Sequence, residues 1–154
     1  MTKRLPFCLT QALGSISDGV AASKWHVYVR FGMWDDILSD EMPPEWAVVG
    51  RSMRHYARGV AYANTGRIDE ARDELAAFDE AVQLIPSEDW WLGNQPAAEV
   101  MPLARLVLEG EIEFKAGNRA EGLTLLAEAV EMEEKLVYAE PAPWMMPARH
   151  AYGA

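Results

Sequence analysis

Residues 59–71 read GVAYANTGRIDEA. Small and apolar residues lead up to Gly66, and there the pattern breaks. Glycine accepts the left-handed backbone that ends a helix at no steric cost. Asp69 follows within three residues. An acidic side chain favours the first turn of a helix, where the backbone dipole is positive. The stretch therefore predicts a helix end, a tight turn and a second helix, which is a helical hairpin.

Two other breaks share the form: RFGMWDDIL at 30–38, with Gly32 and Asp35, and KAGNRAEG at 115–122, with Gly117 and Glu121. Between the breaks the periodicity is helical. In RAEGLTLLAEAVEMEEKL, Leu123, Leu126, Ala127 and Val130 make one apolar stripe, with Glu121, Glu128 and Glu131 off it. IDEARDELAAFDEAVQLIP opens on an acidic turn and ends at Pro86. HVYVRF, at 26–31, comes nearest to a strand, but Trp25, Tyr28 and Phe31 suit a helix equally. The fold class expected is all-α, built from antiparallel hairpins.

The spacing of the breaks makes the reading more specific. Gly32 and Gly66 lie 34 residues apart, and Gly66 and Gly117 lie 51 apart, an excess of 17. A 34-residue helix–turn–helix period is the signature of tetratricopeptide repeats. Gly59, Tyr62, Gly66 and Ala71 match that motif in order. Gly110, Gly117, Gly122 and Ala129 match it again, with Glu113 in place of the aromatic. In the first unit Tyr28, Gly32 and Ile37 fit, Trp25 holds the small position, and Pro43 and Pro44 cut the second helix short. Residues 20–154 thus resemble uncharacterised bacterial tetratricopeptide proteins. The resemblance implies a right-handed solenoid in one domain, 1–154, with units at about 18–40, 45–86 and 97–138 and a partial unit at 147–154. It also implies that the chain is a C-terminally truncated fragment, because the closing YAEPAPWMMPARHAYGA resembles a stretch that runs on into a further repeat. The excess around PSEDWWLGNQPAAEVMP, residues 86–102, is expected as an extended second helix plus a loop, with Trp90 and Trp91 packed over a hairpin edge.

Composition narrows the function. The chain has 154 residues, half of them apolar, and a net charge of −10. That balance opposes nucleic acid and anionic lipid as partners. No apolar run approaches the ~18 residues of a membrane span. Lys3 and Arg4 precede an apolar patch, but Pro6, Thr10 and Gln11 break it and no cleavage site follows, so the cytoplasm is the default compartment. Cys8 is the only cysteine, which excludes an internal disulfide. Residues 109–140 hold nine glutamates against Lys115, Arg119 and Lys135. A solvated helix face accounts for them; the alternative is a docking surface for a basic partner.

No constellation predicts catalysis, a cofactor or a metal. His26, His55 and His150 have no ligand spacing. The pairs Asp35–Asp36, Glu88–Asp89 and Glu133–Glu134 are adjacent residues that point apart on a helix. Arg51, Arg54 and Arg58 form a stripe that either binds an anion or bridges to acidic helices. Some tetratricopeptide domains clamp a peptide carboxylate with basic groups, but the matching positions here, Met53, Tyr56, Ala57, Val60, Ala104, Val107, Leu108 and Glu111, are not basic. The resemblance implies a protein-interaction module, not an enzyme, that holds a peptide or helix in a groove of Met53, Tyr56, Val60, Asn64, Val107, Glu111, Phe114 and Lys115. The alternatives are a self-associating repeat fragment, and a small-molecule binder or enzyme using the groove. The Pro-rich linker is expected to tuck Trp144 against the preceding helix. Alternatively, Trp144, Met145, Met146 and Tyr152 form a self-association patch that makes a homodimer.

Overall fold

The computed structural model describes residues 14–86, 90–92, 94–137 and 144–153, without the side chains of Ser15 and Ile16. Cys8, the charged N-terminus, the pair Glu88–Asp89 and the linker residues 138–143 lie outside the described residues. Most of the described residues are helical. In order come α1 (Gly14–Arg30), α2 (Trp34–Ser39), α3 (Val48–Asn64), α4 (Ile68–Gln83), the two-residue strands β1 (Trp91–Leu92) and β2 (Gln95–Pro96), α5 (Ala97–Ala116), α6 (Arg119–Glu133) and α7 (Ala148–Gly153). The strands pair antiparallel, Trp91 with Pro96 and Leu92 with Gln95.

The three breaks share one hydrogen-bond pattern. Gly32, Gly66 and Gly117 are the described residues with positive φ, at 62°, 79° and 99°. Each glycine donates its N–H to the carbonyl three residues back: Val29, Ala63 and Phe114. The next residue donates to the carbonyl five back, as Met33 to Tyr28, Arg67 to Tyr62 and Asn118 to Glu113, each at 2.9 Å. The six-to-one bond satisfies carbonyls that a helix end leaves open. The chain then reverses, and α2, α4 and α6 pack back on their predecessors.

The first helices of the pairs, α1, α3 and α5, lie side by side, and α4 packs against both α3 and α5. Helix α3 turns Val49, Met53, Tyr56 and Val60 to the core, and α4 turns Ala71, Phe78 and Ala81. These are helical spacings, so one face of each helix is apolar. Helix α6 departs from its expected stripe. Gly122, Leu126 and Ala129 face the core, while Leu123 is exposed. The crossing sets this rotation. A Cβ on Gly122 would lie 2.6 Å from the Phe114 backbone nitrogen, so only glycine fits there.

The 17-residue excess over the Gly32–Gly66 interval divides mainly between a longer second helix, with 16 residues in α4 against six in α2, and a longer connection before α5, which itself has 20 residues against 17 in α3; α4 ends at Gln83. Trp91 is exposed, while its carbonyl lies so close to Gly19 of α1 that no Cβ would fit. Leu92 is buried, and Gln95 donates to the Val137 carbonyl at 3.1 Å. The connection therefore joins α1 to the end of the third pair.

Alanine substitutions separate the two roles of glycine. A Cβ on Gly66 would meet nothing within 4 Å, so Gly66→Ala costs only its backbone conformation, about 1–2 kcal/mol. Gly122→Ala must push the α5 backbone, at roughly 3 kcal/mol. Denaturant unfolding is expected to rank Gly122→Ala as the more damaging; the reverse order contradicts this account of the crossing.

Candidate functional site

The eight groove residues do not form one accessible surface. Met53, Tyr56, Val60 and Val107 are buried, and what covers the wall of α1 and α3 is the chain itself. Trp144 is 1% exposed. Its ring meets His26 edge-on at 4.6 Å and Tyr56 at 5.2 Å. These are ordinary edge-to-face aromatic distances. Trp144 thus reaches two helices of earlier pairs, and its burial leaves it no free surface of its own. Met146 packs partly buried on the core, while Met145 and Tyr152 remain exposed, so the four expected patch residues are divided.

The aromatic cluster packs tightly but leaves polar atoms unmatched. Both ring nitrogens of His26, the Tyr56 hydroxyl and the Trp144 Nε1 are buried without a hydrogen-bond partner. Burial pushes the His26 pKa down to about 4, so the ring is neutral at pH 7. Burial, with a contribution from Glu111, raises the Tyr56 pKa.

The other four groove residues come together. Asn64, Glu111, Phe114 and Lys115 line a recess of about 70 Å³ with Leu126 and Ala151. Asn64 and Lys115 stand near the C-terminal ends of α3 and α5, so the recess opens at the mouth of the groove beside α7. Burial raises the Glu111 pKa, while Lys115 and a hydrogen bond with Asn64 act the other way. The recess is far smaller than a small-molecule pocket, which is about 300 Å³ or more. It has room for the tip of one side chain.

The arginine stripe serves the fold. Arg58 and His55 both meet the buried carboxylate of Glu74, at 2.8 and 2.7 Å. Arg51 donates to the Pro43 carbonyl at 3.0 Å and Arg54 to the Asp40 carbonyl at 2.5 Å. The Arg54 guanidinium is buried 4.9 Å from the Trp25 ring. The carboxylate pair Glu133–Glu134 anchors α7: Glu133 accepts the Ala148 N–H at 2.7 Å and Glu134 pairs with Arg149. Among the described residues no three His, Cys, Asp or Glu side chains gather as metal ligands, and no helix is long and apolar enough to cross a membrane.

One site went unread in the sequence. A cavity of about 410 Å³ lies between α1 and the connection leading into α3. Asp18, buried on α1, lines it. Asp18 accepts the N–H groups of Val49 and Gly50 at 2.9 and 2.8 Å, and so caps a helix that begins thirty residues later. Burial outweighs these bonds and pushes its pKa up to about 6. The only sequence signal was one acidic residue on an apolar helix face.

His26 and Asp18 have opposite effects on stability across acidic pH. An unfolded histidine binds its proton near pH 6.5, whereas folded His26 does so near pH 4. His26 therefore removes stability as pH falls through that window. Asp18 binds its proton more readily folded than unfolded, so it adds stability as pH falls from about 6 towards 4. His26→Leu is expected to gain on the wild type between pH 6.5 and 4, by about 3 kcal/mol at most. It is neutral or stabilising at pH 7, because two unpaired buried nitrogens disappear. Parallel stability curves for the two proteins contradict a buried, neutral His26.

No family model, no curated protein and no solved structure matches the chain.

Proposed function

We propose that the protein is a protein-interaction module that takes a peptide or helix of a partner at the mouth of its groove. The observation that carries the reading is the convergence of Asn64, Glu111, Phe114 and Lys115 on one accessible recess. An amide, a half-buried carboxylate, an ammonium and a phenyl ring within so small a volume suit one anchoring group of a large ligand. The raised pKa of Glu111 marks a carboxylate short of compensation, which a cation of the partner supplies. The net charge of −10 favours the approach of a basic segment over long range. The helix pairs are read as tetratricopeptide-like units, supported by the 34-residue spacing and the shared turn bonds. No catalytic role is proposed. Small-molecule binding is a second reading, favoured by the cavity at Asp18.

Site-specific photocrosslinking tests the interaction. A photoreactive phenylalanine replaces Lys115 in one protein and the outward-facing Glu128 in another. In cells making the protein, a discrete adduct is expected from position 115 and none from position 128, and Glu111→Lys abolishes it. Equal labelling from both positions, or none from 115, overturns the reading.

A further inference from the structure

The cavity at Asp18 already holds a cation belonging to the chain. The Lys24 ammonium sits 4.0 Å from the Trp25 ring centroid and 2.7 Å from Asp40 Oδ2. A positive charge against an aromatic ring and beside a carboxylate is how proteins hold organic ammonium groups. Asp18, Asp40 and Glu41 line the cavity together with Lys24, and Trp25 and Trp46 supply aromatic surface. Arg54 stands close by, with its guanidinium 4.9 Å from the Trp25 ring and donating to the Asp40 carbonyl. Trp25 is fully buried, and its Nε1 has no hydrogen-bond partner. At about 410 Å³ the space falls within the range of small-molecule sites.

We propose that this cavity binds a small organic cation, an ammonium group on an apolar body. Its ammonium exchanges with that of Lys24 between Trp25 and Asp40, and its body lies along Met42 and Pro43. The carboxylates exclude anionic ligands. A neutral ligand of the same shape that displaces Lys24 leaves Asp40 Oδ2 without the ammonium it pairs with and gains no contact between charge and ring. Lys24 is partly exposed, with 46% of its side chain open to solvent, so it can swing out while Trp25 and Asp40 stay fixed by the core and by α2. The site lies in the first helix pair and its exit, away from the recess at Glu111, so each proposal stands or falls without the other.

Lys24 is the discriminating residue. If it occupies the ligand's ammonium position, removing it must strengthen binding, although the site loses no carboxylate and gains no new contact. The probe is phenethylammonium, titrated calorimetrically into the full chain, with phenethyl alcohol as its neutral counterpart. One-site binding of the ammonium is expected, about tenfold tighter than that of the alcohol. Lys24→Ala is expected to tighten ammonium binding several-fold, and Asp40→Asn in that background to reverse the gain. Indole N–H resonances of Trp25 and Trp46 are expected to shift during the titration. The proposal is overturned if neither protein binds the ammonium saturably, if the alcohol binds as tightly, or if Lys24→Ala binds no tighter than the wild type.

Discussion

The edge-on packing of Trp144 against His26 and Tyr56 joins the beginning, middle and end of the chain. Helical hairpins in series make mostly local contacts, and each pair alone leaves one face uncovered. Here one indole from the last connection covers the wall that α1 and α3 leave open. The 84–96 connection contributes a second tie, with its backbone against Gly19 and the side chain of Gln95 on Val137. Trp144, Leu92 and Gln95, the buried residues described in the two long connections, thus pack as parts of the core.

That arrangement decides which surface is left open. A groove lined by Met53, Tyr56, Val60 and Val107 is apolar and continuous in sequence terms, but it is occupied. The open part is the mouth, where α3 and α5 end and Glu111 sits between Asn64 and Lys115. The cavity at Asp18 belongs to the first helix pair and its exit, walled by α1 and the connection that Pro43 and Pro44 stiffen. The two open sites differ in kind: one fits the tip of a side chain, the other a whole small molecule.

The helices and their turns were legible because their causes are local. A glycine that must adopt positive φ, an acidic first turn and a 3.6-residue stripe are all written within ten residues, and Gly32, Gly66 and Gly117 stand where that logic puts them. The connections were not legible, because long-range packing fixes them. Nothing near Trp144 indicates that it lies against His26, and nothing near Asp18 shows that it caps α3. The exposed Leu123 illustrates the same limit. Its stripe is helical, but the close approach of Gly122 to α5 chooses which part of the stripe faces inward. Of the expected groove residues, helical spacing on α3 and α5 accounts for the meeting of Asn64, Glu111, Phe114 and Lys115 at one recess. The burial of Met53, Tyr56, Val60 and Val107 within the chain was not legible, because an apolar helix face reads alike whether a partner or the same chain covers it.

The most direct test of the account is the environment of Trp144 in solution. Proton NMR of the full chain, with Trp144 assigned by its loss in Trp144→Phe, reports through-space contacts between its indole and neighbouring rings. Cross-peaks from Trp144 to both His26 and Tyr56 ring protons are expected, with an indole N–H shift set by those rings. An indole with unstructured-chain shifts and no cross-peak to either residue contradicts the claim that the chain fills its own groove.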